Sequence, residues 1–212
     1  MADFVKYYRH LRQYEGGLAN VKGDSGGYTY AGISRNNWPD WPGWNIIDKY
    51  KKSGTLSNKT LAKDTELQKL HAAFFLTEYW NAAGMNKAPG LDDDLAAAYM
   101  DGLIMSGLNS SASRLIIDSV ARVAGVDGDS LTRVKALELA QNLPVDKLAT
   151  EYYKGRKSFY EKIATGDRAK FLNGWLNRLS ASLGGKSGAV VAGGSIGILI
   201  ALIVAYGVFK SK

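Results

Sequence analysis

The chain contains no cysteine. That absence excludes disulfide-stapled scaffolds, thiol nucleophiles, cysteine-ligated zinc fingers and iron–sulfur clusters. Histidine is nearly missing too: His10 and His71 are the only two, so a histidine-built metal site or a histidine-dependent triad has little to draw on. Nothing in the spacing of Ser25 and His71 indicates a triad, and His71, beside Phe74 and Phe75, reads as a histidine at the edge of a core. Carboxylate chemistry remains, and no metal or organic cofactor is expected. With 212 residues, 46% hydrophobic, 22% charged and 11% aromatic, the chain has globular composition and enough length for one ordinary domain with a remainder.

Acids are fewer than bases, 20 against 27, for a formal charge of +7. Of that surplus of seven, three (Lys186, Lys210 and Lys212) fall in a C-terminal segment without acids, leaving four for the rest. No long Lys/Arg run or nucleic-acid motif occurs, so no nucleic-acid partner is expected; a mild positive field suits an anionic polymer such as a bacterial wall, or a membrane surface.

Charge disappears altogether between residues 189 and 209, AVVAGGSIGILIALIVAYGVF. At about 1.5 Å per residue a helix of this length spans the roughly 30 Å hydrocarbon core of a bilayer. The run therefore predicts a transmembrane helix, with residues 184–188 as a Gly-rich linker before it and residues 210–212 as a basic tail at the headgroups. Ala189, Gly193, Gly197, Ala201 and Ala205 recur every fourth residue. This stripe either lets a second copy approach, giving a homo-oligomer through Gly193 and Gly197, or is simply tolerated by lipid. The N-terminal MADFVKYYRH has no apolar stretch of the signal-peptide kind.

Residues 1–183 read as mostly helical. Asp3 caps a first helix carrying Phe4, Tyr7, Tyr8, Leu11 and Tyr14, which Gly16-Gly17 ends. Residues 21–34 are rich in Gly, Tyr and Thr and predict a loop with a short hairpin. Helical spacing recurs at Leu67–Tyr79, Leu95–Ile104, Leu115–Val123 and Val145–Ile163. Ser130 is expected to cap a helix before Pro144, and Asp167 the last one, with Phe171, Trp175 and Leu179 on its apolar face. Asp127-Gly-Asp129-Ser lacks the further ligands of a calcium loop and reads as a turn. Asp92-Asp93-Asp94 reads as an acidic helix N-terminus.

One segment carries chemistry. Glu15 closes the first helix near its buried face, where partial desolvation and the negative helix end both favour a protonated carboxyl. Such an acid can protonate a departing sugar oxygen. Asp24, in a polar Gly-rich loop, is expected to stay ionised and to position water or stabilise an oxocarbenium-like transition state. The Thr29 hydroxyl can hold that water, and Gly26 and Gly27 let a chain approach closely. The same residues also fit a solvated helix end followed by a turn. Trp38-Pro39-Asp40-Trp41-Pro42-Gly43-Trp44 holds three of the five tryptophans. It reads first as a hydrophobic lid over the core, and otherwise as a wall for a glycan groove or a membrane-interface element.

The run Glu15-Gly16-Gly17, Asp24-Ser-Gly26-Gly27-Tyr-Thr29 and Gly32-Ile33 resembles the signature of glycoside hydrolase family 108, the phage-type and secretion-activator muramidases. Tyr79-Trp80, Pro89, Asp101 and Ser106-Gly107 follow in that family's order. Asp127-Gly128 and Thr132 resemble its peptidoglycan-binding region, and Phe171, Gly174-Trp175 and Arg178 its closing motif. Met105 departs from the pattern, where the family usually has Asn.

The resemblance implies a mainly α, lysozyme-like α+β fold with a small N-terminal β-hairpin. Residues 1–110 would form the catalytic part and 111–183 a helical peptidoglycan-binding part packed on it. It implies an endo-β-1,4-N-acetylmuramidase acting on peptidoglycan, with Glu15, Asp24 and Thr29 catalytic. Gly26, Gly27, Tyr28, Tyr30, Trp41 and Asp101 are the expected substrate contacts. With the tail, the expectation is a membrane-anchored phage lytic enzyme, in a host envelope or a virion membrane. The rivals are a non-catalytic wall-binding or structural membrane protein, and a tail that permeabilises membranes.

Overall fold

Ala96-Ala97-Ala98 and Gly102 give one helix little bulk on any side, so it can be enclosed by others. This helix, α5 (Asp93–Ser106), is buried from Leu95 through Ser106 and forms the axis of the fold. The computed structural model describes residues 2–14, 16–20 and 27–186. Among them α1 spans Phe4–Tyr14, α2 Gly43–Lys52, α3 Asn58–Lys63 and α4 Thr65–Phe74. A π-helical stretch, Phe75–Asn81, continues α4, and after α5 come α6 (Leu115–Ala124), α7 (Arg133–Ala140), α8 (Val145–Ile163) and α9 (Leu172–Ser182). A three-stranded antiparallel sheet, β1 (Leu18–Asn20), β2 (Tyr28–Tyr30) and β3 (Ile33–Ser34), lies between α1 and α2 in sequence. The mainly helical expectation with a small β element near the N-terminus holds.

The faces of α5 are divided among α1, α8, α9, the π-helical stretch and a 3-10 turn at Ser111–Arg114. On the α8 side, a Cβ at Gly102 would stand 2.6 Å from the Tyr152 hydroxyl and 3.0 Å from the Arg156 guanidinium carbon. Glycine is required there by packing. Arg156 is wholly enclosed; it donates to the Ser106 hydroxyl at 3.2 Å and to the Tyr160 hydroxyl at 2.6 Å, under an aromatic ring face at 4.6 Å. On the α9 side, Arg178 donates through Nε to both oxygens of Asp101, at 2.8 and 3.0 Å, and through Nη2 to Oδ1. Met105 lies in this same core, its sulfur accepting from the Tyr160 hydroxyl at 3.3 Å. The residue that departs from the family pattern thus fills the interior.

Several local expectations are corrected. The helix before Pro144 is capped by Thr132, which accepts from the Lys135 amide, and Ser130 instead ends a short 3-10 turn whose cap is Asp127. Asp167 sits inside a 3-10 turn, Gly166–Phe171, that leads into α9 and caps nothing. Asp127 accepts from the Asp129 amide at 3.0 Å, as a turn does, and no metal-binding cluster occurs among the described residues. Asp92 caps α5 through the Asp94 and Leu95 amides.

At the C-terminal end, residues 184–186 turn off α9, and Lys186 bridges Asp92 at 2.9 Å and Asp94 at 2.6 Å. Among the described residues no helix is long and apolar enough to cross a membrane. The expected membrane helix 189–209, its Gly193/Gly197 stripe and the basic tail lie outside the described residues.

Candidate active site

α1 brings the chain to residue 14 with Tyr7 and Leu11 buried beneath it, and the sheet begins four residues later. Glu15, at that junction, lies outside the described residues, as do Asp24 and Gly26 in the 21–26 segment that joins β1 to β2. What the structure supplies is the frame around them.

The frame is a narrow sheet in which β2 is the middle strand. Leu18 pairs with Tyr30, Ala19 with Thr29 and Asn20 with Tyr28, while Thr29 pairs on its other side with Ser34. Alternation along β2 sends Thr29 to one face and its tyrosine neighbours to the other. Thr29 is buried, and its hydroxyl donates to the Gly27 carbonyl at 3.2 Å. This bond braces the C-terminal end of the loop that carries Asp24. Gly27 has φ of +63°, and a Cβ on it would meet the Asn36 side chain at 2.8 Å, so both backbone and space require glycine.

The expected substrate contacts divide. Tyr28 is half-exposed, with the Lys51 ammonium 5.4 Å from its ring centre. Tyr30 is a core residue; it stacks on Trp41 at 6.0 Å and accepts from Gln68 at 2.8 Å. Trp41 is buried between Tyr30, Trp44 and Phe74. Asp101 is enclosed by Arg178, with both carboxylate oxygens engaged. Gly27 and Tyr28 therefore stay near the loop, whereas Tyr30, Trp41 and Asp101 belong to the interior that supports it.

Two positioning residues escaped the sequence reading. Asn58, at the start of α3, accepts from the Leu18 amide at 2.7 Å and packs so tightly on Gly17 that a Cβ there would be 2.3 Å away. His71, fully buried on α4, ties three elements together: its Nε2 is 2.9 Å from the Ala31 carbonyl and its Nδ1 2.7 Å from the Tyr8 hydroxyl. A carbonyl oxygen only accepts, so Nε2 carries the hydrogen and Nδ1 accepts from Tyr8. Burial pushes the imidazole pKa down from 6.5 to about 3 and the Tyr8 phenol up to about 12. The Ala31 carbonyl it holds belongs to a strained turn, since Ala31 has φ of +43° without being glycine. The sequence marks His71 only as a residue at a core edge, where the structure has it fully enclosed, and marks neither Asn58 nor these partnerships, because the partners of His71 lie 40 and 63 positions away.

The family model of glycosyl hydrolase 108 matches residues 8–107, somewhat under half of the chain. The matched segment runs from α1 to the end of α5 and includes the whole hairpin; the closing motif around Trp175 and Arg178 falls beyond it. The match points to hydrolysis of glycosidic bonds. In structure, the chain is similar to Brucella abortus SagA, with a TM-score of 0.53 and 21% identity over 86% of this chain and 92% of that one. At that identity the likeness shows the fold. No curated protein matches the sequence.

Proposed function

We propose that the protein is a peptidoglycan hydrolase of the endo-β-1,4-N-acetylmuramidase type, in which Glu15 is the general acid and Asp24 the water-positioning or charge-stabilising carboxylate. The observation that carries this reading is the family match over residues 8–107, because it falls on the α1–hairpin unit holding both carboxylates. The frame supports it: a helix with Tyr7 and Leu11 buried leads to Glu15, and Gly27, whose carbonyl accepts from the Thr29 hydroxyl, follows Asp24. Thr29 serves in this reading through its bond to Gly27, steadying the Asp24 loop. No metal or organic cofactor is required. Residues 111–183, in the same reading, help hold wall polymer. We further propose that residues 189–209 anchor the enzyme in a membrane, as a phage lytic enzyme would need in a host envelope or a virion.

Digestion of purified peptidoglycan by the full chain in mild detergent, and by its Glu15→Gln variant, tests the assignment. Muropeptides with new muramic-acid reducing ends are expected from the parent alone. Cleavage of only the glycan–peptide amide bond refutes the muramidase reading, and cleavage that survives the substitution removes Glu15 from its role.

A further inference from the structure

The Trp-Pro segment that the family resemblance leaves unmatched builds a cleft of its own. It measures about 500 Å³, within the range of roughly 300–1,000 Å³ usual for small-ligand sites. One wall is the loop 37–42 and the other is α4 with the π-helical stretch after it. Trp38, Phe74 and Leu70 supply apolar surface, with Trp38 set edge-on to Phe74 at 4.9 Å. Asp40 and Glu78 bring a carboxylate from each wall, and among the described residues no Lys or Arg lines the space.

Three features separate this cleft from an ordinary surface dent. First, Asp40 is exposed and Glu78 half-buried at the cleft, and neither makes a hydrogen bond or ion pair among the described residues, although bases outnumber acids over the whole chain. Second, the loop is rigidly built. The Trp38 carbonyl accepts from the Trp44 indole at 2.8 Å and from the Trp41 amide at 3.2 Å, while Arg35 clamps Asp48 through two bonds of 2.8 and 2.7 Å beside it. Third, the wall carrying Glu78 is a seven-residue π-helix, a rare conformation found disproportionately at functional sites. Trp41, which also lines the cleft, has a buried indole N–H without a hydrogen-bond partner.

The geometry points to a second saccharide-binding site in this cleft, for an uncharged N-acetylglucosamine-type ring carrying no peptide. An aromatic surface accepts the C–H face of a pyranose. Two free carboxylates accept from its hydroxyl and amide donors, and charge-assisted bonds of this kind are the stronger ones. The same carboxylates repel the anionic stem peptides borne by muramic acid, so the site selects bare glycan. It rests on the wall-hydrolase reading only for the polymer that supplies the sugar.

The test uses the full-length Glu15→Gln chain in mild detergent, with tetra-N-acetylchitotetraose as probe and the tryptophan indole N–H resonances as readout. Trp38 is assigned by the signal lost in Trp38→Phe. On titration its resonance is expected to shift and saturate. The shift should be abolished, or need at least about fivefold more sugar, in Asp40→Asn/Glu78→Gln, whose thermal midpoint matches the parent. A silent Trp38 resonance overturns the proposal, as does an unchanged titration in the double variant. So does a shift produced by cadaverine or by phospholipid vesicles and not by the sugar, which reassigns the cleft to an ammonium group or a lipid surface. Hydrolysis at Glu15 is read separately: a working muramidase with a silent cleft, or the reverse, shows which reading fails.

Discussion

Acidification acts on the hairpin through His71. The imidazole is neutral in the folded protein because its site is fully enclosed, with a folded pKa of about 3 against an ordinary 6.5. Between those values the unfolded chain binds a proton that the folded one refuses, so folding stability rises with pH across the window. The contribution is complete above pH 6.5 and is lost progressively as the pH falls toward 3. At pH 5 the loss is 1.5 pK units, or about 2 kcal/mol, worth roughly 4–8 °C in melting temperature for a domain of this size. The measurement is urea unfolding of the full chain in mild detergent at pH 7.5 and pH 5, for the parent and for His71→Gln. Glutamine keeps a donor for the Ala31 carbonyl and does not titrate, so the variant is expected to be weaker at pH 7.5 by about 1–3 kcal/mol, with a smaller drop on acidification. Carboxylates and His10 are common to both proteins and cancel in the difference. Parallel pH dependences would refute the assignment of His71 as a buried neutral link.

Three further outcomes follow from the packing. Arg178→Met should cost about 3–5 kcal/mol by leaving Asp101 buried and unpaired, and Asp101→Leu added to it should recover a large part; chemical denaturation of both variants measures this. Gly102→Ala should destabilise by about 1–3 kcal/mol, because its methyl would stand 2.6 Å from the Tyr152 hydroxyl, and a thermal melt no lower than the parent's would contradict the helix spacing. Trypsin should cut slowly after Lys186 while it is held by Asp92 and Asp94, and faster in Asp94→Asn or at high salt; equal rates would mean that the ion pairs do not hold the segment in solution.

The helices legible in the sequence are α1, α4 with the stretch after it, α5, α6, α7, α8 and α9, and α5 is legible by its apolar run, being buried on all sides from Leu95 through Ser106. α2 and α3 were invisible for separate reasons. α2 begins inside a tryptophan-rich run and buries only Gly43, Trp44 and Ile47, too few for a periodic signal. α3 has six residues and depends on a capping box between Ser57 and Thr60. The π-helical stretch hides inside an apparently continuous helix, since one extra residue in a turn leaves composition unchanged. At the candidate site, the carboxylates and glycines are readable as a local pattern. The braces are not, because each is a meeting of distant residues: His71 with Tyr8 and Ala31, Asn58 with Leu18, Arg178 with Asp101 across 77 positions. Asp101 and Arg178 were both visible as motif residues, yet only the fold shows that they answer each other.

The position of α5 bears on how the chain can change over generations. The family match ends at Gly107, one residue past this helix, yet the side chains that complete its burial come from α8 and α9, far downstream. A substitution at Tyr152, Arg156 or Arg178 is therefore felt inside the segment that carries Glu15, and the two stretches must drift in step. Exchange of the C-terminal helices by recombination would succeed only between chains that share the small residues of α5 and the partner of Asp101, so this seam would have to be exchanged as a set.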